Sequence, residues 1–318
     1  MKFIRERSEF MRTNKFKIRM RDGQELHIYK WEPEDAIEIK GIIQLVHGSC
    51  EHSARYADFA NFITEKGYVV YSNDHRGHGL SANSSEDFGF FGENNGWQAM
   101  VEDLNELTKL IRKDYAEEKI TLLGHSMGSF LARHYAIEYG SSINGLIATG
   151  TAHNPRMLLQ LGKSLAEREI KNRGPKHRSN FLNKLSYESF NNKFRPIRTK
   201  QDWLTRDEKI VDKFIEDEFC GFVFTTSGFR DMFNGLLYIT DIRNIVKTPK
   251  NLPILLLSGK DDPVGANGRM VNKAFNHYKR AGVENVNMKL YDGMRHEILN
   301  ELGKEEVYND ILNWIEGI

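Results

Sequence analysis

The sequence predicts an α/β fold, with a mostly parallel sheet, helices on both faces and one helical insertion. Three observations carry this. Apolar runs of strand length, such as Gly41-Ile42-Ile43-Gln44-Leu45-Val46 and Pro253-Ile254-Leu255-Leu256-Leu257, alternate with helical patterns. Buried parallel strands and their crossover helices read this way. The run Ile120-Thr121-Leu122-Leu123 ends in Gly124-His125-Ser126-Met127-Gly128 and passes directly into a helical pattern. Between about residues 154 and 248 the strand signal stops, and then it resumes.

The elements follow in order. Phe16, Ile18 and Met20 alternate with Lys17, Arg19 and Arg21; Asp22-Gly23 turns the chain, and Leu26, Ile28 and Tyr29 begin a second strand. Asp-Gly between alternating runs signals a hairpin. Residues 41–46 run into His47-Gly48-Ser49-Cys50-Glu51-His52, and a helix with Tyr56, Phe59, Ala60 and Ile63 ends at Gly67. Strand 68–72 is closed by Asp74-His75-Arg76-Gly77-His78-Gly79, a charged loop without phosphate-loop spacing and therefore structural. Residues 97–113 form a helix through Met100, Val101, Leu104, Leu107 and Ile111. After the serine turn, Phe130, Leu131, His134, Tyr135 and Ile137 suit one helix face, and 143–149 is another buried strand. The insertion is helical, basic over 163–200 and acidic over 202–218. Its Met157, Leu158, Leu159, Leu161 and Leu165 line an acyl channel or, as the favoured expectation, form a packing face. Strand 254–258, helix 266–281, strand 287–291 and helix 304–316 complete the chain. The expected organisation is a core segment 1–153, a helical cap over the strand ends at 154–248, and a second core segment 249–318.

Composition narrows the function. A net charge of +1 gives no bulk attraction to nucleic acid, so no nucleic-acid partner is expected. Cys50 and Cys220 form neither a Cys-x-x-Cys pair nor a Cys/His zinc spacing, so neither a metal nor a disulfide framework is expected. No apolar leader opens the sequence, and no stretch approaches the roughly 20 apolar residues of a bilayer span. A soluble, cytoplasmic protein is the expectation.

A serine lifted on a sharp turn, with the next helix's N–H groups aimed at it, is placed for nucleophilic chemistry. Any α/β protein can also turn on small residues there. With its strand and helix, the Gly-His-Ser-Met-Gly turn resembles the nucleophile elbow of an α/β-hydrolase. That resemblance implies chain order serine, acid, histidine, because a hydroxyl needs a base and the base an orienting carboxylate. Of the histidines after Ser126, His134 and His277 fall within helices, and His153 and His177 within the insertion region. His296, in the loop after the last strand, is the candidate base. At the end of strand 254–258, Asp261 and Asp262 compete as the acid, with Asp292 after the last strand as a third candidate. The family pattern Gly-x-x-Asp-x-Val selects Asp262, three residues after Gly259. The oxyanion donors implied are the backbone N–H groups of Met127 and, from resemblance to the His-Gly oxyanion loop, of Ser49. Glu51 and His52 are expected to pin that loop by hydrogen bonds.

The motifs at 47–56, 74–79, 124–129 and 295–301 together resemble the monoacylglycerol lipase and bacterial lysophospholipase-like group (serine aminopeptidase S33-type hydrolases). The resemblance implies hydrolysis of carboxylic esters of single-chain lipids through an acyl-enzyme on Ser126, with no cofactor. The alternatives are an esterase for small soluble esters, a proline-iminopeptidase-type peptidase, and a non-catalytic module that keeps the fold. The basic cap segment offers a transient contact to a membrane surface.

Overall fold

The computed structural model describes residues 4–8, 11–34 and 37–318; residues 1–3, 9–10 and 35–36 of the expected first core segment lie outside that description. In chain order the strands are β1 (Ile4–Ser8), β2 (Met11–Arg19), β3 (Glu25–Pro33), β4 (Gly41–Val46), β5 (Tyr68–Asn73), β6 (Ile120–His125), β7 (Gly145–Thr149), β8 (Ile254–Gly259) and β9 (Val286–Tyr291). The helices are α1 (Ala57–Thr64), α2 (Gly96–Asp114), α3 (Met127–Tyr139), α4 (Arg156–Arg173), α5 (Asn180–Tyr187), α6 (Glu208–Glu216), α7 (Thr226–Ile239), α8 (Ile242–Ile245), α9 (Arg269–Arg280) and α10 (Lys304–Glu316). Among the described residues, all nine strands join one sheet in the order β1-β2-β3-β5-β4-β6-β7-β8-β9. The pairs from β1 to β5 are antiparallel, and every pair from β5 to β9 is parallel.

Alternation along the central strands feeds two cores. Ile42 and Val46 of β4 and Leu122 of β6 join residues of α2, α3 and α9 on one face. Ile43, Leu45 and Leu123 join residues of α1 and α10 on the other. With helices on both faces, β4, β6, β7 and β8 are buried along their whole length, which is why they read as near-continuous apolar runs. The C-terminal ends of the parallel strands all point the same way, where open α/β sheets hold their ligands.

Four features differ from the expectation. An edge strand, β1, pairs with β2, although Ile-Arg-Glu-Arg-Ser lacks apolar alternation. The strand expected over 143–149 begins at Gly145. The helix α3 is buried on every side from Met127 to Ile137, because α2 and α7 cover the face turned away from β6 and β7. In α4, Leu159 and Ala166 are buried, whereas Met157, Leu158 and Leu161 are 81%, 64% and 57% exposed. A narrow seam through Leu159, Gly162 and Ala166, with Leu165 partly buried against the core, seats α4 on α7, and Met157, Leu158 and Leu161 face outward.

Candidate active site

Ser126 sits between β6 and α3 at φ 51°, ψ −120°, a conformation non-glycine residues rarely adopt. Surrounding bonds hold it there. Its N–H donates to the Thr149 carbonyl at 2.9 Å, and its own carbonyl accepts from the Ser129 N–H at 2.9 Å and the Ser129 hydroxyl at 2.6 Å. The turn also needs neighbours without bulk. A Cβ on Gly124 would collide with the Gly128 carbonyl, and one on Gly128 with the Val46 carbonyl.

His296 and Asp262 come from the loops after β9 and β8, and both are buried. His296 Nδ1 lies 3.0 Å from Asp262 Oδ1. The same carboxylate accepts the Val264 N–H at 2.8 Å and the Ser258 hydroxyl at 3.1 Å. Burial alone would raise the Asp262 pKa, but the His296 charge and these hydrogen bonds outweigh it and hold the carboxyl below its usual range. Burial likewise opposes the charged form of His296, yet Asp262 at short range raises its pKa above the ordinary value. His296 Nε2 is buried without a hydrogen-bond partner among the described residues. The other aspartates point elsewhere: Asp261 pairs with Lys193 at 2.5 Å and Asp292 with Lys260 at 2.6 Å.

Ser126 and His296 line one cavity of about 540 Å³, which they share with Gly48, Ser49, Cys50, Trp203 and Phe222. The loop after β4 runs against the serine, and a Cβ on Gly48 would lie 3.2 Å from Ser126 Cβ. Met127 is the first residue of α3, so helix geometry leaves its N–H without an intrahelical acceptor. Among the described residues the Ser49 N–H also has no hydrogen-bond acceptor. Glu51 pins the loop as expected: its Oε1 accepts the Gly48 N–H at 2.5 Å and the Tyr56 hydroxyl at 2.7 Å. His52 does not; its Nε2 instead meets Asp217 Oδ2 at 2.9 Å, across to the segment between β7 and β8. The 74–79 loop is structural: the His75 N–H donates to His47 Nε2 at 3.0 Å, and Arg76 pairs with Asp103 and Asp22.

Two supports of the site went unread in the sequence. Arg55 bridges Glu51 and Glu297, donating to the two Glu297 oxygens at 2.8 and 2.7 Å, so one largely enclosed cation joins the 47–51 loop to the His296 loop. The opposite charges of Arg55, in the 47–56 motif, and Glu297, in the 295–301 motif, were the available signal. The second is the 202–206 segment. The Leu204 carbonyl accepts the Glu297 N–H at 2.7 Å, the Thr205 hydroxyl donates to Glu301 at 3.0 Å, and the Trp203 ring lies 5.0 Å from the His296 ring.

Comparison with known proteins gives a consistent picture. A family model described as "Serine aminopeptidase, S33" matches residues 37–303. The chain is 25% identical over 293 residues to a monoacylglycerol lipase of Mycolicibacterium smegmatis, covering 90% of each chain. It is 27% identical to the monoglyceride lipase of Rattus norvegicus, covering 92% of this chain and 86% of that one. A solved structure of a thermostable carboxyl esterase from Bacillus coagulans, in complex with glycerol, superposes with a TM-score of 0.89 at 28% identity, covering 96% of this chain and 98% of that one.

Proposed function

Since this chain belongs to the serine aminopeptidase S33 family of α/β-hydrolases and is a carboxylic ester hydrolase, we propose that Ser126, His296 and Asp262 carry out the hydrolysis, on esters of single-chain lipids. One observation carries the assignment: the buried His296, bonded to Asp262 at 3.0 Å through Nδ1, keeps Nε2 unpartnered in the cavity it shares with Ser126. In this reading His296 Nε2 takes the hydroxyl proton as Ser126 Oγ attacks the ester carbonyl. Asp262 fixes the imidazole tautomer and stabilises the imidazolium. The N–H groups of Met127 and Ser49 receive the oxyanion, a contribution of about 2.7–4 kcal/mol per donor in comparable sites. The alcohol leaves with the proton from His296, and water releases the acyl group by the same route. The chemistry calls on no metal or organic cofactor.

Residues 154–248 act as the cap in this proposal, rooted through α7 on α2 and α3. The exposed Met157, Leu158 and Leu161 of α4 and Phe181 and Leu185 of α5, close in sequence to Arg168, Lys171 and Lys184, form a face suited to an anionic lipid surface. No helix among the described residues is long and apolar enough to cross a membrane. The proposed setting is the cytoplasm, where Cys50 and Cys220 stay reduced; cell fractionation tests it.

The deciding experiment compares p-nitrophenyl esters from acetate to palmitate, and then monoacylglycerols, with wild type and Ser126→Ala. Preference for medium or long chains with a silent variant is expected. Cleavage of acetate alone would move the reading to small soluble esters, and an active Ser126→Ala would remove Ser126 from the chemistry. Equal binding of the protein to neutral and anionic vesicles at low salt would overturn the charge contribution to the lipid-facing surface.

A further inference from the structure

We propose that His52, Asp217 and Cys220 form a binding site for a thiophilic divalent cation of the zinc class. Such an ion would clamp the 217–222 segment to the loop after β4. One nitrogen, one oxygen and one sulfur ligand atom from these residues lie within 4.8 Å of one another. His52 Nε2 and Asp217 Oδ2 already approach to 2.9 Å, with side chains 11% and 29% exposed.

The local backbone presents these groups together. The Cys220 N–H donates to the Asp217 carbonyl at 3.0 Å, a turn that brings residues three apart to the same side. That is the spacing at which Cys-x-x-Cys knuckles offer two ligands. The Phe219 N–H donates to Asp217 Oδ1 at 2.9 Å, which leaves Oδ2 turned toward His52. The Gly221 N–H donates to the Cys50 carbonyl at 2.9 Å and fixes the turn against the loop that carries His52.

The donor set selects the ion. Magnesium and calcium require oxygen ligands, whereas imidazole, carboxylate and thiolate together suit zinc or cobalt, with a fourth tetrahedral position for water. Charge balances as well: a thiolate and a carboxylate neutralise a dication. Binding forms one metal–sulfur bond and releases one proton, that of the Cys220 thiol. The nearest cation, Arg55, is already neutralised by Glu51 and Glu297. His52 lies 165 residues from Asp217 in sequence, so spacing rules applied to the cysteines could not find the site. Phe214, Gly221 and Phe222 line the Ser126 cavity, so the ion would fix one of its walls. The proposal does not depend on Ser126 chemistry.

The test is titration of the reduced protein with Co²⁺ and then Zn²⁺. We expect one cobalt per chain, a thiolate-to-cobalt charge-transfer band in the near ultraviolet, and displacement by zinc. Cys220→Ser removes the band, His52→Ala and Asp217→Asn weaken cobalt binding by about tenfold or more, and Cys50→Ser keeps the band. Zinc raises the thermal midpoint of wild type and not of Cys220→Ser. Circular dichroism establishes that each variant is folded. Absence of the band in wild type, its persistence in Cys220→Ser, or its loss in Cys50→Ser overturns the proposal.

Discussion

Replacing Asp262 with asparagine isolates a charge from a shape. The carboxylate accepts from His296 and Val264 through Oδ1 and from Ser258 through Oδ2. An amide can keep the first two acceptances and donate to the Ser258 oxygen, so geometry and packing survive while the charge is lost. With the charged groups about 4 Å apart at an effective dielectric near 20, that charge stabilises the imidazolium by about 4 kcal/mol. Removing it should lower kcat/KM on the order of 10³-fold, since each 1.36 kcal/mol is a factor of ten. The pH profile carries a second signature. His296 must be neutral to accept a proton, so activity falls as pH drops through its pKa, which Asp262 holds above 6.5. In the variant the acidic limb should move to lower pH. The assay is p-nitrophenyl butyrate hydrolysis from pH 5 to 9, with Asp261→Asn as control and a denaturant midpoint for each protein. Activity within tenfold of wild type, or a larger loss in Asp261→Asn, would refute the reasoning.

Arg55→Met should destabilise the fold by about 3–5 kcal/mol, because it leaves Glu51 and Glu297 buried without their cation; an unchanged urea midpoint would contradict this. Gly128→Ala should abolish soluble active enzyme, since the added Cβ meets the Val46 carbonyl; normal yield and hydrolysis would contradict it. Acid should unfold the protein through its buried histidines. Burial, reinforced by neighbouring histidine charges, holds His75 and His125 at about 3, and burial holds His78 and His134 at about 4, against 6.5 for the free side chain. Each folded-state pKa is depressed, so this stability is complete above pH 6.5 and is lost as pH falls toward those values. The loss is about 1.4 kcal/mol per pH unit for each histidine. Guanidinium midpoints at pH 7, 6 and 5 should fall steeply, and a flat series would contradict the account.

What was legible in the sequence was local. Strands β4, β6 and β8 announced themselves because both their faces are buried, and the serine turn because its two glycines flank Ser126 within five residues, although Gly128 makes room for the Val46 carbonyl of a neighbouring strand. Asp262 and His296 became candidates through the order in which such loops follow strands, and only the resemblance to the Gly-x-x-Asp-x-Val pattern separated Asp262 from Asp261, whose carboxylate turns to Lys193 instead. The carboxylate–imidazole contact spans 34 residues, and the Arg55–Glu297 pair spans 242. Periodicity misjudged α3 and α4 for the same reason. Whether an apolar helix face is covered depends on a partner such as α7, which lies about a hundred residues beyond α3.

These long-range contacts connect selectivity to chemistry. Trp203 lines the cavity and faces the His296 ring, while Leu204 and Thr205 hold the loop on which that ring is carried. A ligand that presses on this wall therefore presses on the mooring of the candidate base. From the other side, Arg55 ties the same loop to Glu51, which fixes Gly48 beside the serine. The base is thus held between the segment that shapes the cavity and the loop that would receive the oxyanion. Changes in the 202–206 segment should alter kcat together with KM, whereas substitutions on the outer face of α4, remote from both supports, should spare the hydrolysis of soluble esters.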